Sequence, residues 1–205
     1  MLKLQRGDTL IEVLFAFSIL SLVVVGAMAI MNQGSIASQR ALETTLVRQE
    51  IDAQATTLRF LHDAYVAKYQ AGITYEANTP AGQWDLLTKS IPDPPVAASA
   101  LRACPFPRPP KSFILDPVNA KFYSVSSNKL VGGDTFAQLR YDSTGTILNT
   151  ADDLWIEAVR SKASGDTNQS NTRYIDFHIY ACWDAPGQGP VMTLGTIVRL
   201  YEPRG

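Results

Sequence analysis

From Val13 to Met31 the chain runs for nineteen residues without a charge: Val-Leu-Phe-Ala-Phe-Ser-Ile-Leu-Ser-Leu-Val-Val-Val-Gly-Ala-Met-Ala-Ile-Met. At about 1.5 Å rise per residue, a helix of that length reaches roughly 28 Å, close to the hydrocarbon thickness of a bilayer. Elsewhere in the 205 residues, charged, polar and apolar residues mix freely. Lys3 and Arg6 precede the run, and no acid stands among the first seven residues. That asymmetry predicts the N-terminal side in the cytoplasm and everything after the run outside. The averages conceal this division: 46% hydrophobic, 18% charged, formal net charge −1. A balance so near neutral argues against a dedicated nucleic-acid binder, which carries a basic patch or stripe.

Two details separate the run from an ordinary secretory signal. Such a signal has a shorter apolar region with a small-residue cleavage site after it. Here the glycine beside the basic residues, Gly7, stands before the run. Glu12 sits at the mouth of the apolar segment, whereas a charge at the centre of a membrane helix costs about 2.5–3.5 kcal/mol. A carboxylate in that position is expected to meet a partner.

The string Gly7-Asp8-Thr9-Leu10-Ile11-Glu12-Val13-Leu14, leading into the charge-free run, resembles the class III signal of type IV prepilins and pseudopilins. The resemblance covers about thirty residues and implies cleavage by a prepilin peptidase between Gly7 and Asp8. Asp8 would then be the residue that the family N-methylates, and Glu12 the fifth residue of the mature subunit. In the family that glutamate pairs with the new α-amino group of a neighbouring subunit. Two charges that are costly alone in lipid neutralise one another only across a correctly staggered interface. The pattern departs at one place: the first mature residue is usually Phe, and Asp8 sets a second carboxylate beside the α-amine. The alternative reading of the segment is an uncleaved signal anchor with a chance glutamate. The resemblance further implies a leader at 1–7, a transmembrane and assembly half at 8–31, and an extracytoplasmic pilin-like domain at 32–205.

Helical pattern continues past Met31. Residues 32–69 contain no proline and only one glycine, Gly34. Leu42, Leu46, Val47, Ile51, Ala55, Leu58, Leu61, Tyr65 and Tyr69 recur mostly three or four apart, as a one-sided helix requires. Arg40, Glu43, Arg48, Glu50, Asp52, Arg59 and Lys68 largely fall between them. Ala71-Gly72 supplies a stop, and Gly26 and Gly34 are places where such a helix can bend. The sequence thus predicts one helix over about 9–70, apolar all round at first and amphipathic afterwards.

Seven of the twelve prolines lie between Ile91 and Pro110, so an extended surface connection is expected there. From 111 onward the pattern turns to β. Short strands are expected at 122–125 and 136–141, the second leading into a turn at 142–145. Stronger strands follow at 154–160, 174–183 and 192–201. Leu154, Ile156 and Ala158 share one face of the first; Ile175, Phe177, Ile179, Ala181 and Trp183 share one face of the second. Met192, Leu194, Thr196, Val198 and Leu200 share one face of the third. Period-two apolar residues separated by polar, glycine-rich turns mean an antiparallel sheet with one buried face. The expected fold is therefore α+β, a long N-terminal helix whose amphipathic half packs on a C-terminal antiparallel sheet. That is also the pilin arrangement.

Cys104 and Cys182 are the only cysteines, and no C-x-x-C spacing occurs. Outside the cytoplasm a single disulfide between them is the natural reading, tying the proline-rich connection to a strand; two unpaired buried thiols are the alternative. His62 and His178 have no second ligand at metal spacing and no nucleophile motif nearby, and are read as structural. Asp142, Asn149, Asp152 and Asp153 could crowd oxygens around calcium. Thr144 and Thr146 break the EF-hand pattern, however, and a hairpin turn accounts for the same residues. Trp84, Trp155 and Trp183 are expected in the core rather than on a stacking surface. No cofactor and no enzymatic activity are expected. What remains is a structural subunit, minor rather than major, of a type IV pilus or a pseudopilus such as that of type II secretion. Its expected partners are the prepilin peptidase, other pilin subunits, the membrane and, indirectly, an assembly platform and motor ATPase. It would sit in the cytoplasmic membrane as a single pass before assembly and in a surface filament afterwards. The alternative function is a pilus-tip or surface-anchored adhesin or DNA-binding module.

Overall fold

The computed structural model describes residues 8–70, 72–99, 109, 111–124, 140–141, 147–148, 154–162, 173–183 and 191–203. Two compact units result, Met1–Leu42 and Glu43–Gly205. The helix α1, Asp8–Ala67, contributes to both. Its end falls a few residues before the expected Gln70. Lys68 N–H bonds to Tyr65 O and Tyr69 N–H to Val66 O, tightening the last turn. The Tyr75 hydroxyl then donates to Lys68 O at 3.1 Å. Gly72, at φ +82°, turns the chain in the left-handed region.

A second helix, α2 (Pro80–Ser90), was not expected from the sequence pattern. Its signal is local and short: Thr79 caps it, accepting from Gly82 N–H at 3.2 Å, and Pro80 occupies the first turn. Gly82 is required there, since a Cβ would come within 1.9 Å of Glu76 O. Ala81, Trp84 and Leu87 form the buried side of α2.

The main sheet has five antiparallel strands in the order β2-β1-β5-β6-β7. They are β1 (Phe113–Asp116), β2 (Lys121–Ser124), β5 (Leu154–Arg160), β6 (Tyr174–Trp183) and β7 (Met192–Tyr201). The last three have the bounds expected from the sequence. β3 (Arg140–Tyr141) and β4 (Ile147–Leu148) form a separate two-stranded pair. Of the strand expected at 136–141, only β3 lies within the described residues, and the turn at 142–145 lies outside them. β1 escaped the sequence reading because Phe113, Ile114 and Leu115 are all buried, leaving no alternation to detect.

Within the second unit, α1 lays Val47, Ile51, Ala55, Leu58 and Leu61 into a core shared with Phe113, Ile156, Phe177, Ile179 and Val198. The expected helix face needs two corrections. Leu42 is exposed, and Glu50 and Gln54, which the apolar pattern passes over, are buried. On β6 the inward set Ile175, Phe177, Ile179, Ala181 and Trp183 is buried as expected. On β7 only Val198 and Leu200 of the expected inward set are buried; Thr196 is exposed. The three tryptophans are core residues, each 3% exposed or less.

Candidate assembly segment and the domain that carries it

The first part of α1 is one continuous helix with its side chains uncovered. Leu22 is 76% exposed, Met31 75% and Phe15 66%, and the other large apolar residues there are exposed as well. Nearly every turn therefore presents apolar surface all round, which a helix facing water on any side does not do. Two serines interrupt the apolar surface, and both are satisfied internally. Ser18 Oγ donates to Leu14 O and Ser21 Oγ to Phe17 O, each at 2.8 Å. Hydroxyls bonded back to the preceding turn are compatible with an apolar solvent. By length and composition this is the one described helix able to cross a membrane.

Glu12 is exposed near the start of this segment and has no hydrogen-bond or ion-pair partner among the described residues. Asp8 is the first residue of α1, and Gly7 lies outside the described residues. A Cβ at Gly26 or Gly34 would meet nothing within 4 Å, so neither glycine is demanded by packing inside the chain.

The second unit is held by side chains that the sequence pattern did not single out. Gln54 pins α1 to β1 at both groups of one residue. Its Nε2 donates to Leu115 O at 2.7 Å, and its Oε1 accepts from Leu115 N–H at 3.0 Å. β1 meets β5 only at Phe113↔Ile156, so beyond that point Gln54 stands in for the missing strand partner. Gln83 of α2 does the same on the far side of the hairpin, accepting from Phe122 N–H at 2.8 Å. The one signal for Gln54 is its place in a stripe of apolar residues, three after Ile51 and four before Leu58.

Both histidines are engaged in the scaffold. His62 Nε2 lies 2.8 Å from Tyr201 O, and its ring meets Trp84 edge-on at 5.1 Å. His178 Nδ1 is 3.2 Å from the Tyr180 hydroxyl. On the sheet face away from α1, Trp155 Nε1 and Ser99 N–H both donate to Glu157, and Tyr180 donates to Ser99 O. The start of the proline-rich connection is thereby fastened across β5 and β6. Burial, with Glu157 nearby, pushes the Tyr180 hydroxyl above its ordinary pKa. Further along, Arg199 makes a two-pronged bond to Asp176 at 2.7 and 2.8 Å and lies 3.9 Å over the Tyr174 ring. The hydrogen bond from Arg199 holds the Asp176 carboxyl below the usual carboxylate range, against an opposing effect of burial. Arg160 joins Glu202 at 2.7 Å and Thr88 O, in the last turn of α2, at 2.6 Å.

Cys182 is fully buried on β6, and the described residues contain no free cysteine. Cys104 lies outside them, as do Asp142, Asn149, Asp152 and Asp153. Among the described residues no group of three or more His, Cys, Asp or Glu side chains is placed to hold a metal.

A family model described as the prokaryotic N-terminal methylation motif matches residues 2–28. The match takes in Gly7, Asp8, Glu12 and all but the last three residues of the charge-free run. The chain thus carries the class III signal typical of type IV pilins and pseudopilins, on a pilin-like α+β fold. Compared with curated proteins and with solved structures, it matches none.

Proposed function

We propose that this chain is a minor structural subunit of a type IV pilus or related pseudopilus, assembled through the exposed half of α1. The observation that carries the reading is a charge-free helical segment with all its large side chains uncovered, headed by Glu12, which has no partner among the described residues. Lys3 and Arg6 hold the leader, residues 1–7, in the cytoplasm. A prepilin peptidase cuts between Gly7 and Asp8, and the Asp8 α-amine is methylated. Residues 8–31 then keep the subunit in the cytoplasmic membrane, with residues 32–205 outside. Assembly moves the segment from lipid into a bundle of neighbouring helices, while Glu12 pairs with the α-amine of an adjacent subunit and sets the stagger. Lipid and the bundle interior are both apolar, so hydrophobic burial supplies little net drive for this transfer. A motor ATPase acting through an assembly platform accounts for the missing work.

Outside the cytoplasm, Cys104 and Cys182 form one disulfide between the proline-rich connection and β6. The burial of Cys182 and the lack of a free cysteine among the described residues support that pairing.

Mass spectrometry of the subunit from purified surface filaments tests the processing step. The expected N-terminus is Asp8; Met1 on every copy would remove the proposal. Glu12→Ala is expected to stay in the membrane but enter filaments at a small fraction of the normal level. Normal incorporation would take the stagger role away from Glu12.

A further inference from the structure

The five-stranded sheet ends in two edges that differ in kind. At one, β2 is four residues long and its Phe122 N–H is already bonded to Gln83. At the other, β7 pairs with β6 through ten successive residues, Tyr174↔Tyr201 to Trp183↔Met192, with no bulge and no proline. The phase of that ladder follows from its continuation. Glu202 N–H donates to Arg173 O at 3.0 Å, so Leu200, Val198, Thr196, Leu194 and Met192 bond inward to β6. The backbone groups of Thr193, Gly195, Ile197, Arg199 and Tyr201 consequently point away from the sheet. Tyr201 O is met by His62. Thr193, Gly195 and Ile197 have no partner among the described residues. Long edges are normally blunted by lysine, proline, a bulge or a cover, and β7 has none of the first three.

Beside this edge runs a groove lined by Arg48, Ile51 and Asp52 of α1 and Leu194, Gly195 and Thr196 of β7. Arg48 and Asp52 are exposed, opposite in charge and one helical turn apart, and neither is ion-paired among the described residues.

We propose that the β7 edge takes an extended segment of a different polypeptide by strand addition. The added strand places an acid opposite Arg48 and a base opposite Asp52, two residues apart. Residues one turn apart on a helix and two apart on a strand are both separated by roughly 6–7 Å, so the spacings match. Neither edge strand of a second copy fits. Its own β7 presents only uncharged residues on that face, Met192, Leu194, Thr196, Val198 and Leu200, and would leave Arg48 and Asp52 unmatched. Its β2 edge is occupied at Phe122 by Gln83. The proposal is independent of how the N-terminal segment is processed.

The test uses the full chain in detergent micelles with three synthetic threonine-rich strand peptides of equal composition. In two, Glu and Lys stand two apart and share a face, in either order; in the third they are adjacent and face opposite ways. One of the two ordered peptides is expected to slow amide exchange at Thr193, Gly195 and Ile197 by about tenfold or more, and the third to leave it unchanged. Ile197→Pro removes an outward N–H but no bond to β6, and is expected to abolish that protection. Exchanging the charges, Arg48→Asp with Asp52→Arg, is expected to transfer the preference to the other order. As both residues are exposed, this pair tests the idea even if the proline variant fails to fold. Protection by none of the peptides, or equal protection by all three, overturns the proposal. Protection that rises with protein concentration alone also overturns it, since the occupant would then be a second copy.

Discussion

The two parts of α1 share one backbone ladder and one amino-acid vocabulary, yet they meet different surroundings. Leu22 and Leu58 are the same residue in the same helix; one is 76% exposed and the other 0%. Residues 47–61 find an apolar sheet to cover one stripe, so polar residues fill the rest of the circumference. Residues 13–31 are apolar on every side, so no single packed face can satisfy them. An apolar residue is thus not by itself a core residue. What decides is whether another part of the chain covers it.

The contrast breaks most clearly under truncation. Leu58→Ala is expected to cost about 2–5 kcal/mol of stability in the sheet-bearing unit, as core leucines do. Leu22→Ala should leave the thermal unfolding of that unit unchanged. Equal losses from both substitutions would erase the distinction between the two parts of the helix.

A smaller effect sharpens it. Gln54→Leu leaves both backbone groups of Leu115 buried without a partner and should cost about 1–3 kcal/mol in chemical denaturation. Gln83→Leu should cost less, because Phe122 lies on the edge strand, where water can replace the lost bond. A larger loss from Gln83→Leu would mean that α1 is not what anchors β1.

The smallest effect is electrostatic and confined to the sheet. Arg199 holds the Asp176 carboxyl below its ordinary pKa, so the folded state binds that proton less readily than the unfolded chain. The associated stability is present above the unfolded value and is lost as pH falls through the depressed one. Acid titration of unfolding should show a shallower loss in Asp176→Asn than in the natural chain. The difference should shrink with added salt, because the pair is partly exposed. An unchanged acid limb would mean that the pair contributes nothing.

Much of the fold was legible in local pattern. β5, β6 and β7 could be bounded by period-two alternation, and α1 by unbroken helical spacing. The class III signal was legible too, because Gly7, Glu12 and the charge-free run are close together in sequence. β1 was not, since a strand buried on both faces has no alternation. α2 was missed because eleven residues with a weak apolar stripe rest on their cap, Thr79-Pro80, more than on periodicity. Glu50 was read with the solvated charges on the strength of its type, and the structure buries it.

The amino-acid sequence alone determined that one stretch of this chain is long and apolar enough to cross a membrane and that a carboxylate stands at its entrance. Composition and spacing within thirty residues are enough for that. Only the tertiary structure decided that Gln54 completes a strand 61 residues away, that His62 closes one end of the β7 edge, and that Thr193, Gly195 and Ile197 on that edge have no partner among the described residues. These depend on which elements meet at which register. Such contacts are long-range, and no local periodicity encodes them.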